Sequence, residues 1–239
     1  MRNLNKKEAI LSARLAHLYA NSRLAIGIAF LLAILLVFVF HSIVASGLIY
    51  SWLALVSLIS LVRLWMVAKY QRSPVADYQT LQARLRNFRL VITFAGLIWG
   101  STGLLMFPTG DPGHQVFLIF IMAGISTAVV IAYVADIFCA TAFGLAVLLP
   151  LIIRLFMEGD SLSVTMGATG FLYIGFLIAS IIRSNKIILE NLTLHYEASE
   201  REENVKISDE WHRSILNRAM DGFWLTDMQG KLLQVNETY

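Results

Sequence analysis

The sequence predicts an all-α fold: a polytopic membrane bundle of six transmembrane helices, continued by a cytoplasmic helix and closed by an incomplete α+β segment. Three observations carry this. Of 239 residues, 57% are hydrophobic and 15% charged, against about half apolar and about a quarter charged in a soluble domain. The net charge of +3 divides unevenly, with +7 on residues 1–183 and −4 on residues 184–239. Six apolar stretches, 24–44, 47–68, 90–107, 115–134, 137–156 and 161–182, approach the ~20 residues needed to cross a hydrocarbon core ~30 Å thick. Together they exclude an ordinary soluble enzyme, a disordered tail and a disulfide-stapled secreted module. The positive charge is not gathered into one patch, which argues against nucleic acid as a partner.

Residues 1–23 read as a basic amphipathic helix on the cytoplasmic side, with Leu11, Leu15 and Leu18 on one face and Lys7, Arg14 and His17 elsewhere. The bundle proper occupies residues 24–183. Its first apolar stretch follows Arg23 without a small-residue cleavage site, so it stays attached. Lys and Arg set the orientation. They precede the first stretch (Arg2, Lys6, Lys7, Arg14, Arg23), fill the second connection (Lys69, Arg72, Arg84, Arg86, Arg89) and follow the last stretch (Arg183, Lys186). The first, third and fifth connections have none, which puts both termini in the cytoplasm. Tyr78, Leu81, Leu85 and Phe88 form a second apolar stripe with basic flanks. Both stripes suit a helix lying on anionic lipid, and equally a plain positive-inside anchor.

Ionisable residues are sparse within the spans. Arg63 and Arg154 sit near span ends, from which they can snorkel to the surface, Asp136 falls in a tight cytoplasmic turn, and no carboxylate lies at mid-depth. A transporter or channel, which needs such groups, is therefore the rival reading; a passive anchor is another. Small residues mark helix packing: Gly96, Gly100 and Gly103 in the third stretch, Gly124 in the fourth, Gly167 and Gly170 in the sixth. At the extracytoplasmic end, Trp99, Thr102, His114, Gln115 and Arg154, with Pro108, Glu158 and Asp160, could rim a pocket for a small amphipathic signal. The same residues also suit an interfacial belt and helix caps. Five scattered histidines and one cysteine, Cys139, make no cofactor or metal site evident, and no catalytic group converges.

Residues 184–210 continue the sixth helix, since no Gly or Pro falls between Gly175 and Gly222. Leu189, Leu192 and Tyr196 have heptad-like spacing that fails at Ser199 and Glu203, a short dimer seam or a single solvated helix. Residues 211–239 read as a helix over 211–220, a strand through Asp221-Gly222-Phe223-Trp224-Leu225-Thr226, and a turn at Asp227-Met228-Gln229-Gly230. A second strand over 231–235 and a helix start capped by Asn236 complete the segment.

The order Ile215-Leu216-x-x-Ala219-x-Asp221-Gly222-Phe223-Trp224-Leu225-Thr226-Asp227-x-x-Gly230-x-Leu232-Leu233-x-Val235-Asn236 closely resembles the entry of a PAS domain. The resemblance implies about a quarter of that domain, too little to close its cavity. Trp99-Gly100-x-x-Gly103-x-x-x-Phe107-Pro108, with His114-Gln115, Gly124, Pro150, Arg154 and Gly159-Asp160, is similar to N-terminal sensory regions of bacterial multidomain signalling proteins. That second resemblance implies residence in the bacterial inner membrane; a homodimer through the transmembrane and cytoplasmic helices is the expectation from the small-residue faces and the Leu189–Leu192–Tyr196 seam. The resemblance also implies a role in relaying signals to a histidine kinase or a GGDEF/EAL cyclic-di-GMP output. On this expectation residues 184–210 form a signalling helix. No motif of either output occurs in the chain.

Overall fold

The computed structural model describes residues 2–73, 77–218 and 224–235. Its helices are α1 (Arg2–Phe40), α2 (Ser46–Arg72), α3 (Tyr78–Leu105), α4 (Pro112–Ala132), α5 (Ile137–Glu158) and α6 (Ser161–Arg218), followed by strands β1 (Trp224–Thr226) and β2 (Leu232–Val235). Five of them, α1, α2, α3, α5 and α6, are long and apolar enough to cross a membrane; α4 is an apolar helix of 21 residues. The chain divides into two compact units, Met1–Leu192 and Thr193–Tyr239.

Within the first unit, α1 has 39 residues and reaches about 58 Å, well beyond the ~30 Å of a hydrocarbon core. The basic segment expected to be a separate helix is thus the first half of α1, because no Gly or Pro interrupts the chain there. Its apolar stripe does not lie on lipid. Leu15 and Leu18 are fully buried, Leu81, Leu85 and Phe88 of α3 are buried, and all belong to one continuous core against which Tyr78 is half-buried. Tyr19 joins them, stacked on Tyr70 at 4.2 Å between ring centroids and edge-on to Phe88 at 5.1 Å. A second set of apolar side chains points outward. Leu24, Leu31 and Phe38 of α1, Leu58 and Leu61 of α2, and Leu90, Phe94 and Leu97 of α3 are exposed. A soluble protein does not leave so continuous an apolar surface open to water. The outward set begins at Leu24 and Leu90, so the buried stripes before them extend the bundle past its apolar belt.

The α3–α5 seam is the tightest contact. A Cβ on Gly96 would meet Phe143 Cα at 3.1 Å, one on Gly103 would meet Leu151 Cα at 2.8 Å, and one on Gly100 would fall 1.9 Å from Ala146 O. Ala146 is four residues before Pro150, which stands inside α5 and has no N–H to give to that carbonyl. The carbonyl freed by the proline is thus the group that Gly100 admits. Helix α6 packs on α5 through Gly170 against Ile152, Gly167 against Phe156, and Leu177 against Gly144. Gly124 differs from the packing role expected of it: a Cβ there would meet nothing within 4 Å. Its neighbours make the contact instead, since Tyr173 Oη of α6 donates to Ala123 O at 3.0 Å and lies 3.1 Å from Ser126 Oγ.

The second unit holds residues 193–218 of α6 and an antiparallel hairpin, with Trp224 opposite Val235 and Leu225 opposite Gln234. Asp227 Oδ1 accepts the backbone N–H groups of Gln229 and Lys231, and Gly230 takes φ +80°, so the turn lies where the sequence puts it. The helix expected over 211–220 is the end of α6, through Arg218. Residues 219–223 and the Asn236 cap lie outside the described residues.

Candidate functional site

The 133–136 turn joins α4 to α5, and the four other helices of the first unit all reach it. Asp136 caps α5, its Oδ1 accepting the Cys139 N–H at 3.0 Å. Arg89 of α3 grips the same carboxylate with two bonds, Nε to Oδ1 at 3.1 Å and Nη2 to Oδ2 at 2.7 Å. From α1, Arg14 Nη2 donates to Oδ2 at 3.0 Å while its Nε donates to Ala135 O at 3.0 Å. Asn185 of α6 donates to Val134 O at 2.6 Å. Arg63 of α2 donates to the Tyr133 hydroxyl, with its guanidinium 5.8 Å from that ring's centroid.

The Asp136 side chain is fully buried, whereas those of Arg14 and Arg89 are 24% and 39% exposed. Burial pushes the carboxyl up, but the Arg89 hydrogen bonds and the Cys139 N–H outweigh it and hold the group below the usual carboxylate range. A desolvated carboxylate costs several kcal/mol unless its lone pairs are filled, and here both oxygens are bonded. Arg63 does not snorkel as expected. It is buried, and its Nε has no hydrogen-bond partner among the described residues. Cavities of about 10 and 20 Å³ flank it, each with room for about one water molecule.

At the opposite end, the five residues expected to rim a pocket are spread over α3, α4 and α5 and have their own partners. Trp99 is buried edge-on against Trp52 at 5.2 Å. Thr102 Oγ1 donates to Trp99 O at 2.6 Å and approaches Met122 Sδ at 3.7 Å. His114 Nδ1 lies 2.6 Å from Asp111 Oδ2, and its ring meets Phe40 edge-on. Buried Gln115 donates from Nε2 to Pro108 O at 3.1 Å and accepts from Ser163 Oγ at 3.5 Å. Arg154 donates to Thr109 Oγ1 at 2.9 Å, stands 3.7 Å from Glu158, and covers the Phe107 ring. Hydrogen bonds hold the Asp111 and Asp160 carboxyls low as well, from the backbone and ring of His114 and from Ser163 respectively.

No family model, curated protein or solved structure matches the chain. Its chemistry therefore has to be read from its own residues. Among those described, no group of three or more His, Cys, Asp or Glu side chains could hold a metal ion. Two grooves open at the basic end, one of about 560 Å³ between α2 and α3 and one of about 470 Å³ between α1 and α3. Leu189, Leu192 and Tyr196 are half-buried on α6, Leu189 and Leu192 in the first unit and Tyr196 in the second.

Sequence reasoning placed Asp136 in its turn but missed its partners. Arg14 and Arg89 lie 122 and 47 residues away, and both already had a reason to exist as positive-inside charges. The one available signal was the aspartate itself. A lone carboxylate between two long apolar runs must find a cation to be buried at all.

Proposed function

We propose that residues 1–192 form a multi-pass sensory and anchoring domain of a bacterial signal-transduction receptor in the inner membrane, with six spans and both termini cytoplasmic. In this reading α6 is the moving part. A ligand or lipid state that favours one bundle arrangement shifts α6. The Leu189–Leu192–Tyr196 stretch, paired in a homodimer, carries the shift into a PAS domain that begins near residue 211. Beyond it lies a histidine kinase or cyclic-di-GMP output.

The observation that carries the reading is the bond from Asn185 of α6 to Val134 O, because it ties α6 to the turn on which α1, α2 and α3 converge. A change in any of those helices bears on α6 through one short segment. The clustering of Arg14, Arg84, Arg86 and Arg89 at that end supports the orientation. The Asp227–Gly230 turn between β1 and β2 supports the PAS reading.

The test places the chain ahead of a histidine kinase or diguanylate cyclase output and inserts one residue after Glu197, rotating the helix beyond that point by about 100°. Output is expected to change at least severalfold; indifference to helical phase overturns the relay. A second reading, an anion transporter or channel, draws on the buried Arg63. Specific uptake of a small anion into liposomes, lost in Arg63→Leu, would favour it. Swapping the bundle for an unrelated six-span anchor with stimulus response unchanged would favour a passive role.

A further inference from the structure

We propose that the groove between α2 and α3 at the basic end binds an anionic phospholipid, its phosphate held by Lys69 and Arg84 and its acyl chains laid along Val62, Trp65 and Leu90. The groove encloses about 560 Å³, within the range of about 300–1,000 Å³ usual for ligand sites. Its lining is graded. On α2, apolar Val62, Trp65 and Met66 precede Lys69; on α3, Thr80, Arg84 and Asn87 precede Leu90 and Val91. The cationic residues of one helix thus face the polar residues of the other, and apolar residues face apolar ones. Trp65 and Leu90 are also part of the outward apolar surface, 60% and 54% exposed, so the groove opens where acyl chains lie.

Charge complementarity decides the class of lipid. Among the described residues, no carboxylate lines the groove. Lys69 Nζ rests 5.0 Å from the Trp65 ring centroid, and Arg84 donates one bond, to Ser73 O at 2.6 Å, while covering the Tyr70 ring. A guanidinium has five N–H donors, so Arg84 keeps donors for a phosphate. Asp77, at the groove's edge, is engaged as the α3 cap by the Thr80 hydroxyl at 2.5 Å. The α1–α3 groove is a contrast within the same molecule: it is also basic, with Lys7 and Arg86 on its wall, but its apolar residues Leu11 and Leu85 are buried, so it lacks the exposed apolar wall that Trp65 and Leu90 give the other groove. The assignment does not depend on whether the bundle signals.

The full chain in detergent, incubated with equal amounts of phosphatidylglycerol and phosphatidylcholine, is read by native mass spectrometry for retained lipid. At about 1 kcal/mol per cation near a headgroup, two cations predict a preference for phosphatidylglycerol of about 30-fold. Lys69→Gln with Arg84→Gln should abolish it, and Lys7→Gln with Arg86→Gln, the same loss of charge on the other groove, should leave it. Because Arg84 also holds Ser73, Lys69→Gln alone provides a milder check, expected to lower the preference about fivefold, with Lys69→Arg restoring it. Equal retention of the two lipids, equal loss in both double variants, or an unchanged preference in Lys69→Gln overturns the proposal. So does displacement of the lipid by millimolar inorganic phosphate, which would make the site one for a free anion.

Discussion

The two ends of the bundle use their polar residues in different ways. At the basic end one buried carboxylate is shared between arginines from two helices, and its turn is held by two more. At the other end the polar side-chain pairs are mostly local. His114 pairs with Asp111 three residues back and Arg154 with Glu158 four residues on, with Asp111 43% exposed. Local pairs stabilise a loop or a helix end; a shared, desolvated carboxylate fixes helices against one another. The basic end is therefore the joint of the bundle, and the other end is its set of closures.

The sharpest way to break this comparison is Asp136→Ala. It leaves two guanidiniums and the Cys139 N–H without their acceptor, and should cost about 3 kcal/mol, the low end for such a loss because both arginines retain solvent. Thermal unfolding in detergent measures it. The same carboxylate sets an acid limit. Its folded pKa is depressed, so its contribution is complete above the ordinary carboxylate value of about 3.9 and is lost as pH falls through the lower folded value. The melting temperature should drop at that acid edge, and Asp136→Asn should flatten the drop. The Asp111 and Asp160 carboxyls are held low too, but Asp111 is half-buried and Asp160 exposed, so neither is desolvated as Asp136 is and their variants should leave the profile nearly unchanged.

Next in size is Gly100→Ala. The added methyl would enter the Ala146 carbonyl, a backbone atom that cannot swing aside, and should cost about 2 kcal/mol by forcing α3 from α5. Since Arg89 and Asp136 lie at the basic end of this seam, their bonds should loosen too. Gly124→Ala meets open space and should be neutral or stabilise by up to about 1 kcal/mol through helix propensity. Equal effects at the two glycines, measured by thermal unfolding, would remove the seam as support for the joint.

A third variant pair divides the joint itself. Arg89→Gln loses a two-bond grip on Asp136 and should cost about 1.5 kcal/mol, whereas Arg14→Gln loses one bond to Asp136 and one to Ala135 O and should cost about 1 kcal/mol. In a double-mutant cycle the two should be non-additive, because they share one acceptor.

Much of the bundle was legible in the sequence, for local reasons. Apolar runs at span length mark the helices, and Gly96, Gly100 and Gly103 mark the face that α5 approaches. The illegible part depends on long-range partners. Composition explains Arg14 and Arg89 as positive-inside charges and so hides that they converge on Asp136. The Leu15 and Leu81 stripes have the same amphipathic pattern whether they meet lipid or each other; only the tertiary contact makes them core. Arg63 looks free to snorkel from its sequence position, yet α1 and α4 close over it beside Tyr133.

The smallest expected effect belongs to the other end, at Glu158→Gln. Glu158 stands 3.7 Å from Arg154, and its Oε1 accepts the Gly110 N–H at 3.1 Å. A glutamine amide oxygen can still accept that N–H, which holds the turn in which Gly110 takes φ +73°. Only the charge attraction to Arg154 is lost, and Arg154 keeps its bond to Thr109 and its cover over Phe107. At 3.7 Å the pair is too long for a hydrogen bond, so the cost should stay within about 0.5 kcal/mol; with the two side chains 24% and 13% exposed, added salt should mask only part of it. A loss as large as that of Asp136→Ala would mean that Glu158 too acts as a shared anchor, and the contrast between joint and closures would fall.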